Sequence, residues 1–332
     1  MKTLGFTTMR ALLMAMLMSG AVQAQDVREM IITNELASSH WTAIQMDDYA
    51  RRITEATDGR IQAKVFHSSS LYNDQSALAA LGTGAVHMAW PVAVRLETIA
   101  PQTGVLSLPF VLSDEVMAKS GAPTAVGEYL STYLRPKGIE VLGVARTADL
   151  FFLTRDAPVA TMQDLEGLKV RATGGKVMLE LLDQFGASAV SMPATEMGPA
   201  MSQGAIDSIL TSSGGWDMVG VRTAPDASLV PGLNLVTYAI LVDAMWLSGL
   251  PADLQQVVIG TTRDFVENNW AEAKALDEQT LQAVIAKGGR FSTVEEDARQ
   301  EFVEAAQSVS EGWQQDHPDA WNAFESVLAP YK

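Results

Sequence analysis

Along the chain, apolar positions switch repeatedly between a period of two and a period near 3.6, the signature of alternating strands and helices. Residues 26–34 carry Met30-Ile31-Ile32-Thr33 and predict a first strand. Ser38 and Ser39 offer caps for the helix that follows, where Trp41, Ile44, Tyr49, Ile53 and Ala56 fall near helical spacing. Asp58-Gly59 marks a turn, and residues 61–65 alternate as a half-exposed strand does. Asn73 or Asp74 caps a short helix to Leu81, and Gly84-Ala85 leads into a strand over 86–90. Helices are expected over 113–120 and 123–134, with strands over 139–145 and 150–154. Along that last strand, one of Phe151 and Phe152 should face the core and the other away.

The second half repeats the layout. Strands are expected over 168–172, 189–192 and 206–211, with helices over 176–185 and 195–203 between them. The segment LGTGAVHMAW at 81–90 echoes MSQGAIDSIL at 201–210, a weak repeat that similar strand–helix units produce unaided. Strands separated by helices imply parallel sheets covered on both faces. From Pro251 to Lys287 the pattern is helical with one interior glycine, Gly260, and residues 298–312 and 317–328 also read as helices.

The N-terminus is a separate object. Within residues 1–24 the charged side chains are Lys2 and Arg10, followed by the apolar run ALLMAMLMSGA and by Val22-Gln23-Ala24 with small residues before a break. This is the layout of a secretory signal peptide, and cleavage is expected near Ala24. The full chain has 332 residues, 23 Lys plus Arg and 39 Asp plus Glu, a net charge of −16. Removing the leader takes two cations and no acids, leaving 21 − 39 = −18. That balance argues against a nucleic-acid partner. With no Cys, thiol nucleophiles, disulfides and Cys-ligated metals are excluded.

Catalytic motifs are missing. The four His, at 40, 67, 87 and 317, lack metal-site spacing, and neither GxSxG, a phosphate loop nor GxGxxG occurs. No metal or cofactor is expected. Candidate ligand contacts stand out instead. Arg171 ends the strand LKVR just before Ala-Thr-Gly-Gly and a helix, the place where open α/β sheets bind ligands, and its planar fork suits a carboxylate. Thr211 ends the next strand and Ser212 follows it, offering hydroxyls and backbone N–H groups near the same edge. Trp41, Trp90, Phe151 and Trp216 sit at strand–helix junctions where an aromatic can cover an apolar ligand body. His40 beside Trp41 and the second cation Arg95 complete the set, and Gly174-Gly175 permits close backbone approach.

The order and spacing of several blocks then resemble one family. They are SSHW after the first strand, DYARRITEATDGRIQAKVF, SSSLYNDQSALAALGTGAVHMAW, LSLPF, and DLEGLKVRATGGKVMLELLDQFGASAVSMPATEMGPAMSQGAIDSILTSS. Together these look like the DctP-type extracytoplasmic substrate-binding proteins of TRAP transporters, from about Met30 to beyond Lys287. The resemblance implies that Arg171 holds a ligand carboxylate. It also implies that the loop with Trp90, Pro91 and Arg95 and the strand residue Phe151 line the pocket, with Asp74 at its edge. The chain departs from many relatives in carrying Thr211 for Asn, Thr173 for Pro, Tyr72 for Gly, and no aromatic near Ala194.

The fold that follows is an α/β two-lobed periplasmic binding protein with a ligand cleft between lobes and a long lobe-spanning helix. Lobe I would comprise residues 26–148 plus 236–275, and lobe II 149–235 plus 276–332. The expected function is capture of a small organic acid in the periplasm, a hydroxy or keto acid with an apolar or aromatic part, and its delivery to TRAP-type membrane permease subunits. The protein would be a monomer that closes by a hinge and performs no catalysis. A secreted hydrolase using a Ser or an Asp pair, and a binding protein that senses a ligand for a signalling partner, are the alternatives.

Overall fold

In the computed structural model, which describes residues 27–332, twenty-two strands and α-helices follow one another along the chain. The first half comprises β1 (Arg28–Thr33), α1 (Trp41–Ala56), β2 (Ile61–Phe66), α2 (Asp74–Ala80), β3 (Met88–Ala89), α3 (Asp114–Met117), α4 (Ala122–Leu134) and β4 (Ile139–Asp149). Next come β5 (Phe151–Thr154), β6 (Lys169–Ala172), α5 (Lys176–Gln184), β7 (Ser188–Ser191), α6 (Ala194–Ser202), β8 (Ser208–Thr211), α7 (Ser213–Val219) and β9 (Asp226–Leu229). The chain ends with β10 (Leu235–Asp243), α8 (Ala244–Ser248), α9 (Ala252–Ala286), β11 (Arg290–Thr293), α10 (Glu296–Asp316) and α11 (Pro318–Leu328). The leader reading at 1–24 lies outside the described residues.

Two sheets form, in the orders β2-β1-β3-β10-β4 and β11-β9-β5-β8-β6-β7. The expectation of parallel sheets holds only in part. β1 runs parallel to β2 and β3, and β6 to β7 and β8. β10 is antiparallel to β3 and β4, and β5 is antiparallel to β8 and β9. The reason lies in the connections. The chain passes from β4 into β5 through Leu150 alone, and returns from β9 to β10 through residues 230–234. Neither pass has the helical crossover that makes neighbouring strands parallel.

Helices cover both faces of the second sheet, which corrects the reading of Phe151 and Phe152. Both are buried, at 2% and 0% exposure. Phe151 packs with Leu153 and Trp216 on one face, and Phe152 with Val170 and Leu181 on the other. The apolar stripe of α1 is also rotated from the expected one. Ala43, Met46, Tyr49, Ala50 and Ile53 are buried, while Ile44 is exposed. His40, not Ser38 or Ser39, caps that helix: its Nδ1 accepts the Thr42 N–H at 3.1 Å. α7 forms directly after Thr211 and Ser212, where the pattern placed no helix, and the strand over 86–90 contracts to Met88–Ala89.

The long C-terminal helix stands as predicted. α9 has 35 residues, roughly 50 Å at 1.5 Å per residue. Its N-terminal half supplies Val258 and Val266 to the core behind the first sheet, and Val284 joins the Trp216 core of the second. α10 packs on α5 through Phe302 against Phe185, and α11 on α4 through Phe324 against Tyr129. No described helix is long and apolar enough to cross a membrane.

Candidate functional site

The carboxyl ends of β6 and β8 meet residues from the first sheet around one buried cavity. About 70 Å³ is open to the centres of water-sized molecules. Leu36, Val92, Leu150, Leu210, Leu235 and Val236 make most of the wall apolar. Among the polar lining groups are Glu35, His40, Ser107, Arg171, Thr211 and Tyr238.

Arg171 is the third residue of β6 and is 1% exposed. Its Nε and Nη2 both donate to the Met192 carbonyl, at 3.1 and 2.8 Å, just beyond the end of β7. That carbonyl fixes the plane of the guanidinium. No carboxylate lies within 4 Å of it among the described residues, and Nη1 has no hydrogen-bond partner there. Burial lowers its pKa to about 10, with the like charge of Arg95 lowering it further and Glu35 opposing. It therefore remains a cation at neutral pH: a buried positive charge whose donors are partly unused.

The loop after β6 depends on glycine. Gly174 and Gly175 have φ of +131° and +85°, and a Cβ on Gly175 would come within 2.4 Å of Val94 Cγ2. The backbone of the second sheet thus meets the helical turn Ala93–Thr98 of the first sheet's side directly. At the neighbouring edge Ser212 caps α7, its Oγ accepting from Gly215 N at 3.2 Å. A Cβ on Gly215 would lie 2.1 Å from Thr211 Oγ1, so that hydroxyl sits tightly over the first turn of α7. Burial pushes the His40 pKa down to about 4. The ring is therefore neutral, with Nδ1 occupied as the α1 cap and Nε2 turned toward Gly214.

Of the expected contacts, the structure brings Arg171, Thr211, Ser212 and His40 to the cavity. The others lie elsewhere. Trp90 is fully buried behind the first sheet, 5.3 Å from the Tyr49 ring and 4.8 Å from Phe265. Phe151 packs on Trp216 and Phe291, and Trp216 donates its Nε1 hydrogen to Ala224 O at 2.7 Å. Pro91 spends its carbonyl on Ala239 N. Trp41 stacks on His40 over a separate groove shared with Met218. Arg95 is 5% exposed, against Gly174 but off the cavity wall, and its Nε has no partner among the described residues. The physical reason is common to the aromatics: sheets covered on both faces turn large rings into sheet–helix interfaces, where they bury most area.

Several lining residues escaped the sequence reading, among them three that carry ionisable or hydroxyl groups. Ser107 is 2% exposed with its hydroxyl unpartnered among the described residues. Tyr238 has its hydroxyl pushed well above the usual phenol range by burial. Glu35 is buried beside Asp74. Ser107 lies inside the LSLPF block, which was the available signal for it.

A sequence model of DctP, bacterial extracellular solute-binding protein, family 7, matches residues 32–316. The C4-dicarboxylate-binding periplasmic protein DctP of Vibrio cholerae is 24% identical over 283 residues, covering 84% of this chain and 83% of its own. Among solved structures, the sugar acid binding protein DctPAm of Advenella mimigardefordensis, in complex with galactonate, superposes with a TM-score of 0.84 at 18% identity. It covers 92% of this chain and 99% of that one. A TRAP periplasmic solute binding protein of Ralstonia eutropha with bound (S)-2-acetolactate gives a TM-score of 0.81 at 19% identity, covering 91% and 99%.

Proposed function

The chain belongs to the DctP family of bacterial extracellular solute-binding proteins, family 7, and from that premise we propose that it captures a small organic acid and hands it to a TRAP-type membrane permease. The observation that carries the reading is Arg171, a buried cation with no carboxylate partner beside a mostly apolar cavity. A ligand carboxylate completes the pairing that the protein leaves open, and a planar guanidinium held by the Met192 carbonyl presents its free edge for that purpose. The unpartnered Ser107 hydroxyl and the Thr211 hydroxyl suit a hydroxy or keto group, and the leucines and valines suit a short aliphatic body. The mostly apolar wall favours a short aliphatic acid of the acetolactate kind, which the Ralstonia eutropha relative holds, over a hydroxyl-rich sugar acid.

Relatives in this family are periplasmic binding proteins. Export through the 1–24 leader, monomeric action without catalysis, and closure of two lobes complete the proposal. The lobes are 26–148 plus 236–275 and 149–235 plus 276–332. The chain passes between sheets near residues 149–151 and 230–234, which supports hinges there; α11, within the 276–332 segment given to the second lobe, packs instead on α4 of the first and so argues against that part of the boundary.

Titration calorimetry with short 2-hydroxy and 2-oxo acids tests the clamp. Arg171→Ala should lose about 2–5 kcal/mol of binding free energy. Unchanged affinity in that variant would remove Arg171 from the ligand site.

A further inference from the structure

Two residues past β1, Glu35 is 2% exposed and borders the same cavity as Arg171. Its oxygens accept only long contacts from backbone, Oε1 from Ala194 N and Oε2 from Asp74 N, each at 3.4 Å. No cationic nitrogen lies within 4 Å of it among the described residues. The side chain is therefore a buried carboxyl group on the cavity with no cation in direct contact.

Its surroundings set a charge count. Arg171 and Arg95 are both buried, and Asp74 is 1% exposed with Oδ2 accepting Val92 N at 2.9 Å. Burial, and then the charge of Glu35, pushes the Asp74 carboxyl well above the usual carboxylate range. Asp74 thus keeps its proton more readily than an exposed carboxyl does. Arg171 is the one Lys or Arg side chain on the cavity wall among the described residues, so a single ligand carboxylate finds its cation there. A second would lie buried beside Glu35 among leucine and valine side chains, with nothing to pair it, and an unpaired buried charge is strongly disfavoured.

We propose that Glu35 is a specificity-determining residue that limits this cavity to acids with one carboxylate and rejects the corresponding dicarboxylates. Selection by a built-in repulsive group is a general route to discrimination. It would separate this protein from the Vibrio cholerae relative, named for C4-dicarboxylates. The inference rests on the reading that Arg171 holds the ligand carboxylate.

Calorimetry on the chain from residue 25 to 332 with matched pairs tests it: 2-hydroxybutanoate against malate, and 2-oxopentanoate against 2-oxoglutarate. Wild type should prefer the monoacid of a pair by at least about tenfold, and Glu35→Gln should narrow that ratio by about tenfold or more. Gln keeps an oxygen for the two backbone N–H groups, so the fold is retained. Glu35→Asp keeps the charge and should keep the preference. Tighter binding of the diacids by wild type, or an unchanged ratio in Glu35→Gln, would overturn the proposal. No binding of any of the four acids to wild type would overturn it together with the small-acid reading. Undiminished binding in Arg171→Ala would overturn the carboxylate clamp and this inference with it, whereas an unchanged ratio in Glu35→Gln beside weakened binding in Arg171→Ala would overturn the inference alone.

Discussion

Gly214 is the second residue of α7, where alanine is ordinarily the better helix former. Contact reverses that preference. A Cβ there would stand 2.1 Å from His40 Nε2. The His40 ring cannot retreat freely, because it is buried and its Nδ1 holds the first turn of α1. Overpacking of this kind costs about 1–3 kcal/mol, so Gly214→Ala should lower the urea midpoint despite its higher helix propensity. Adding His40→Ala should return much of that loss in a double-mutant cycle. A Gly214→Ala protein more stable than wild type would show that α7 and α1 are not in fixed contact.

At the scale of elements, α5 begins without a side-chain cap of its own, since Gly175 occupies the N-cap position. The cap arrives from 80 residues earlier: the Glu97 carboxylate accepts Val177 N at 3.2 and 3.3 Å. Burial raises the Glu97 pKa from 4.5 to about 7, against the lowering effect of the Val177 and Lys176 N–H groups. The folded protein therefore binds this proton more tightly than the unfolded chain. The resulting stabilisation is complete below about pH 4.5 and is lost as pH rises to about 7, a change of up to about 3 kcal/mol. Asp149 and Asp277, also raised chiefly by burial, act in the same direction. Urea unfolding at pH 5 and pH 8 should show wild type losing stability across that interval and Glu97→Gln losing less. Equal slopes in the two proteins would mean that Glu97 does not titrate there.

Over the whole molecule, one arginine ties the two sheets and the long helix. Arg146, on β4 and fully buried, donates to Asp114 at 2.6 and 3.1 Å and to Asp149 at 3.2 Å, and lies 3.5 Å from Asp277 of α9. Asp277 also accepts Asp149 N at 3.0 Å and the Ser213 hydroxyl at the start of α7. The network thus joins the β4–β5 passage, α9 and the start of α7, two residues past Thr211. Arg146→Ala would leave three carboxylates facing one another, and losing one partner of a buried pair costs about 3–5 kcal/mol. An unchanged denaturation midpoint would show that the network contributes nothing net. At the same scale, the division between what the chain announces and what the fold decides is clear. Strand–helix alternation, the helix over 252–286, the DctP-type blocks and Arg171 at a strand end are legible because each depends on neighbours a few residues apart. The directions of Phe151, Trp90 and Trp216 were not, because helices distant in sequence cover both faces of a sheet and choose which way a ring turns. Nor was the antiparallel course of β5 and β10, which follows from two short passages between sheets. Glu35 and Arg171 lie 136 positions apart, and no local pattern joins them. A chain of net charge −16 offers an anion a home only where folding gathers Arg95 and Arg171 out of water, because an electrostatic site depends on distance and burial, which tertiary packing alone supplies.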